Sequence, residues 1–201
     1  MQQWRLHERV ALHIIRRTGT NPRRLLLGFM IATAFISMWI SNAATTMMMI
    51  PIALAVIQQF EKDRGAEWVA PFGTAVMLGI AYASSIGGVG TIVGTAPNML
   101  FLGAMAKLFP EAPRITFMQW LLYGVPLVAV FIPITWWIMA RRIYKLPGGA
   151  DEDADGAAMI DERLRQLGRP GRGEKIVGVV FLLTAFAWVF RQEIPIGSIT
   201  I

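Results

Sequence analysis

Three long stretches of this chain contain no Asp, Glu, Lys or Arg at all, and they constrain the fold more than any other feature. Leu25–Phe60 runs for 36 residues, Trp68–Ala106 for 39 and Ile115–Ala140 for 26; a shorter run of 15 covers Ile176–Phe190. A helix facing water needs a polar stripe, and none of these runs has one. Their lengths instead meet or exceed the roughly 20 apolar residues that carry a helix across about 30 Å of hydrocarbon. The expected fold class is therefore all-α and integral to a membrane. Only 16% of the 201 residues are charged, and nearly all of them lie between the runs.

The same distribution excludes other classes. With no cysteine, disulfide frameworks, thiolate metal sites and cysteine nucleophiles are ruled out. His7 and His13 both lie in the basic first stretch and lack the further ligands a metal would need. The net charge of +6 does not indicate nucleic acid, because the arginines cluster at the ends of apolar runs, where the positive-inside rule places them. No enzyme is expected either: the one dense acidic cluster, Asp151–Asp155, sits in a Gly/Ala-rich loop and reads as a solvated segment. No cofactor is expected, and these residues offer no metal site.

The course of the chain follows from breaks and charges. Residues 1–24 hold six arginines and one acid. Val10, Ala11, Ile14 and Ile15 alternate with Arg9, His13, Arg16 and Arg17, which suits an amphipathic helix lying on the cytoplasmic face of the membrane. Leu25–Phe60 is too long for one crossing and is interrupted by Ser41-Asn42-Ala43-Ala44-Thr45-Thr46. Small hydroxyl and amide residues serve helix interiors poorly and caps well, so 25–60 is read as a hairpin, re-entrant or fully spanning, with its tip at 41–46. Residues 68–106 form a transmembrane helix broken at about 86–98, where glycines and Pro97 interrupt the run. Irregular backbone at membrane depth is tolerated only when buried in protein or lining a watery cavity. Residues 115–140 form a further span, with Trp120 and Trp136-Trp137 about 25 Å apart along a helix as an aromatic belt. A hydrophilic loop, 141–175, precedes a last span at 176–191. The two stretches richest in Lys and Arg, 1–24 and 141–175, belong on the cytoplasmic side, and only a hairpin at 25–60 puts both there.

Two discontinuous elements in one bundle are the mark of a transport site near the bilayer midplane. Where a helix starts inside the membrane, its free N–H groups and dipole favour an anion; where one stops, free carbonyls suit a small cation. Ser41, Asn42, Thr45 and Thr46 in the first break, and Gly94, Thr95 and Asn98 in the second, supply both kinds of group without a formal charge. The bland alternative is interhelical packing by small polar residues. Ser84-Ser85 reads as a cap or packing and is given no chemistry.

These segments carry a resemblance. Ser37-Met38-Trp39-Ile40-Ser41-Asn42-Ala43-Ala44-Thr45-Thr46 resembles the first Ser-Asn-Thr hairpin of the divalent anion/sodium symporters, the family of solute carrier family 13 and the bacterial Na⁺/dicarboxylate carriers. Ser85-Ile86-Gly87-Gly88, followed by Gly94-Thr95-Ala96-Pro97-Asn98, resembles that family's broken fifth helix. The resemblance implies secondary transport of a C4-dicarboxylate such as succinate, malate or fumarate, coupled to Na⁺, by an elevator-type motion in a homodimer in the cell's inner (plasma) membrane. By position it implies Ser37, Ser41, Asn42 and Gly94 as sodium ligands and Ser41, Asn42 and Thr95 as substrate contacts. Ala43 replaces the motif's usual Thr, which leaves a sulfate-, citrate- or arsenite-type anion as the alternative; a non-transporting membrane scaffold is the alternative of another class. Only one copy of each motif is present where the family has two in inverted repeats, so the chain reads as the N-terminal half of such a transporter.

Overall fold

A computed structural model describes residues 6–18, 21–147, 160–161, 164–168 and 171–189. Among the described residues the chain is helical, without strands. The helices are α1 (Leu6–Thr18), α2 (Pro22–Ser37), α3 (Asn42–Arg64), α4 (Ala66–Gly88), α5 (Ala96–Leu108), α6 (Phe117–Trp137, running on into a π-helical turn, Ile138–Ile143) and α7 (Arg172–Val189). Three of them, α3, α4 and α6 with its π-turn, are long and apolar enough to cross a membrane. The acidic cluster at 151–155 and the last residues of the expected final span, 190–191, lie outside the described residues.

Local chemistry sets most boundaries. Pro22 opens α2 at the first helical position, where its missing N–H is no loss, and the Asn21 side chain accepts the N–H of Arg24 as an N-cap. Thr116 and Gln119 form a reciprocal capping box at the start of α6. Gly65 alone joins α3 to α4, at φ 85° and ψ 159°. A Cβ there would meet nothing within 4 Å, so the glycine is required by its backbone angle and not by space.

Packing centres on α2. Leu25, Leu26, Phe29, Met30 and Ala32 are wholly buried, and exposed residues are few along its length. A helix apolar all round belongs inside, and here α1, α3, α4 and α6 surround it. The apolar face of α1 (Ala11, Leu12, Ile15) is buried in this packing. A Cβ on Gly28 would lie 3.0 Å from Ile15 Cα, so the α1–α2 approach depends on glycine. The other end of the order is α5, where Asn98 is the one buried residue and Leu100 is 73% exposed. On α6, Tyr123 is 80% exposed. Apolar surface of this extent is not presented to water, in keeping with a membrane protein.

The two basic stretches meet at one end of the bundle. Arg9 Nε lies 2.6 Å from Glu174 Oε1, and Arg16 Nε 2.9 Å from Asp161 Oδ1. Trp136 Nε1 donates to the Arg23 carbonyl at 2.8 Å, and Arg23 Nε donates to the carbonyl of Leu146.

Candidate functional site

The hairpin turns at 38–41, a few residues earlier than expected, and residues 42–46 form the first turn of α3. The reason is how the polar side chains are satisfied. Thr46 Oγ1 donates back to the Asn42 carbonyl at 2.8 Å, and Ser37 Oγ donates to Asn42 Oδ1 at 2.8 Å. The first is the i−4 back-bond that lets a Thr sit inside a helix. Ser41 is the N-cap of α3, yet its side chain makes no capping hydrogen bond.

The second break spans 89–95. The last helical residue of α4 is Gly88, after which Val89, Gly90 and Gly94 make successive short-range turns to Ile86, Gly87 and Thr91. Thr95, extended at φ −147°, caps α5, and again no side-chain capping bond forms. Asn98, 6% exposed, holds the break closed: its Nδ2 donates to the Gly88 carbonyl at 2.9 Å and to the Thr91 carbonyl at 2.8 Å.

The two breaks are in contact. Ser37 Oγ lies 2.7 Å from the Ser84 carbonyl, Thr46 Oγ1 lies 3.1 Å from Ser84 Oγ, and Thr91 Oγ1 donates to the Met38 carbonyl. A Cβ on Gly94 would stand 2.5 Å from the Gly88 carbonyl oxygen and 3.0 Å from the Ser37 carbonyl oxygen, so glycine lets the unwound segment fold back on the end of α4 and lie against the hairpin. From α6, Trp120 Nε1 donates to the Val89 carbonyl at 2.9 Å, and Gly124 packs directly on the Gly90 carbonyl. Trp120, expected to mark an interface, is tied to the break by its indole N–H.

Of the five residues expected at a site, Ser37, Asn42 and Gly94 converge directly. Ser41 and Thr95 flank them as the N-caps of the two helices that begin there. Four helix ends therefore gather in one region: the C-termini of α2 and α4 and the N-termini of α3 and α5. The carbonyl-bearing ends carry partial negative charge and the N–H-bearing ends partial positive charge. Ser37 Oγ, Asn42 Oδ1 and nearby carbonyls are neutral oxygens of the kind a small cation can accept, and the first turns of α3 and α5, without side-chain caps, present N–H groups of the kind an anion can accept.

Ser84, read from the sequence as a cap or packing residue, ties α4 to both Ser37 and Thr46. Its place after an alanine-rich turn, one helical turn before the glycine pair, carries no signal of that role, because the partners are 47 and 38 residues away.

Known proteins resemble this chain over nearly its whole length. A family model described as the CitMHS citrate transporter matches residues 1–197. The sodium-dependent dicarboxylate transporter SdcS of Staphylococcus saprophyticus is 41% identical over 201 residues, covering 96% of this chain and 37% of that protein. The protein of the same name from Staphylococcus aureus strain NCTC 8325 is 37% identical over the same share of each. The chain thus spans a little over a third of the length of the curated relatives it matches. These are transporters and not enzymes. With two broken membrane elements meeting end to end and a family match over nearly its whole length, the chain belongs to the CitMHS citrate transporter family.

Proposed function

We propose that the protein of which this chain is a part is a multi-pass carrier of the plasma (inner) membrane that moves a small divalent anion, a C4-dicarboxylate, together with Na⁺, by elevator-type alternating access in a homodimer. The observation that carries this reading is the gathering of four helix ends of both polarities around Ser37, Asn42 and Gly94. Ser37, Ser41, Asn42 and the backbone at Gly94 bind Na⁺; Ser41, Asn42 and Thr95, with the first-turn N–H groups of α3 and α5, hold a substrate carboxylate. Neutral dipoles suit a carrier because they attract a doubly charged solute without holding it too tightly to release. No other cofactor takes part. The relatives' names, which specify sodium dependence and dicarboxylates, support the same assignment.

The test is Na⁺-driven succinate uptake by the intact protein in proteoliposomes. Asn42→Ala removes the amide that Ser37 engages and is expected to abolish Na⁺-dependent uptake; uptake with unchanged Na⁺ dependence refutes the site. The exposed methyl of Ala43 beside the N-cap favours a second reading for the anion, since no hydroxyl is offered at that position. Competition by citrate, sulfate and arsenite against succinate separates the two. A scaffold without a site would show no rise in melting temperature with Na⁺ and substrate together.

A further inference from the structure

The last turn of α4 carries two adjacent glycines that do different things. A Cβ on Gly87 would run into the backbone of Ala34, at its carbonyl oxygen, Cα and carbonyl carbon. That glycine serves the close approach of α4 to α2. A Cβ on Gly88 would instead collide with Asn42 Oδ1, and would stand 3.2 Å from Asn42 Cγ and 3.3 Å from Nδ2. Its nearest neighbours are all atoms of one side-chain amide, so the space that Gly88 leaves open is the space in which the Asn42 amide sits.

The placement of that amide matters because of Ser37. Its hydroxyl has two acceptors, Asn42 Oδ1 at 2.8 Å and the Ser84 carbonyl at 2.7 Å, and a single proton to give. With the proton on the Ser84 carbonyl, Ser37 Oγ and Asn42 Oδ1 are left as two adjacent oxygens with lone pairs uncommitted to each other. Two such oxygens repel unless a cation draws them together. With the proton on Asn42 the pair closes on itself. The amide oxygen must stand in one place for both arrangements to be open, and the bare Cα of Gly88 keeps it there.

We infer that Gly88 is a positioning residue for the coupling cation: it sets the affinity for Na⁺ by seating the Asn42 amide oxygen beside Ser37, without touching the ion. The inference rests on the Na⁺ reading proposed above.

Gly88→Ala tests it, because the atom in the way is the far end of a flexible side chain. The amide swings aside while the helix, which gains a better helix former, stays in place. In proteoliposomes containing the intact protein, the Na⁺ concentration for half-maximal uptake should rise by about tenfold, equivalent to about 1.4 kcal/mol. The KM for succinate should rise as well, since Asn42 also holds the substrate carboxylate, so Na⁺ binding without substrate is the reading that isolates the cation. In the purified protein the Na⁺-induced rise in melting temperature should shrink in step. A Gly88→Ala variant with lower uptake at every Na⁺ concentration but unchanged half-saturation makes Gly88 a packing residue only, and overturns the inference. An unchanged Na⁺ curve for Gly88→Ala alongside loss of Na⁺ dependence in Asn42→Ala overturns it too, leaving the sodium site standing. Na⁺ dependence surviving in both variants instead refutes the sodium site. If Gly88→Ala fails to accumulate, the double variant with Asn42→Ala decides: recovery to the level of Asn42→Ala alone supports the steric link, and no recovery overturns it.

Discussion

Replacing Asn98 with leucine tests whether the unwound segment is held by specific hydrogen bonds or by packing alone. The amide sits in the first turn of α5, almost fully buried, and each of its two N–H bonds is spent on a carbonyl: Gly88 at 2.9 Å and Thr91 at 2.8 Å. Leucine has nearly the same shape and no donor. The Thr91 carbonyl would keep the Gly94 N–H at 3.3 Å, so its loss is that of one ordinary hydrogen bond, about 0.5–1.5 kcal/mol net. The Gly88 carbonyl lies at the end of α4, where the chain leaves the helix before a partner four residues on can reach it. Left unpaired in a buried place, it costs a further 1–3 kcal/mol or so. The expected destabilisation is about 1.5–4.5 kcal/mol, a large effect against the 5–15 kcal/mol or so typical of a folded domain. Denaturant unfolding of the purified protein in detergent, followed by tryptophan fluorescence, reads this as a shift in midpoint at constant slope. Trp120, bonded to Val89 within the break, reports on the region directly. A leucine variant within about 0.5 kcal/mol of the parent would show that these bonds contribute nothing net and that the break is held by packing.

Three further outcomes follow from the geometry. Arg9→Ala should destabilise by about 3–5 kcal/mol, because it leaves Glu174, only 7% exposed, buried without its partner; the double variant Arg9→Met with Glu174→Met should recover most of that loss, and a double-mutant cycle in thermal melts measures both. Gly65→Ala should cost about 1–3 kcal/mol although a Cβ there touches nothing, and a melting temperature equal to the parent's would show that the α3–α4 turn can relax. Trp120→Phe keeps a ring to pack against Phe101, 6.0 Å away between centroids, but drops the bond to Val89, for a loss of about 0.5–1.5 kcal/mol measurable in the same melts.

Much of the architecture was legible before any coordinates. Uncharged runs of 36, 39 and 26 residues announce a membrane fold because burying charge in hydrocarbon is costly, and that cost acts on each segment separately. The breaks were legible for a similar reason: Ser-Asn and Gly-Thr-x-Pro-Asn clusters oppose a continuous helix wherever they fall. Their edges were less so. The expected tip at 41–46 became the first turn of α3, because Thr46 bonds back to the Asn42 carbonyl, an option that composition does not distinguish from capping. The amphipathic α1 was legible as a helix with one apolar face. That this face would be buried against the protein, with Ile15 resting on Gly28, was not.

One-dimensional pattern decides which segments enter the membrane and where they stop being helical, since both depend on nearest neighbours along the chain and on the surrounding solvent. It does not decide which polar groups meet. Ser37 finds the Ser84 carbonyl 47 residues away, Thr91 finds Met38 across 53, and Arg9 finds Glu174 across 165. Those pairings depend on the axial register of one helix against another. That register is set where Gly28, Gly87 and Gly94 let backbones approach, through contacts that exist only once the bundle has formed.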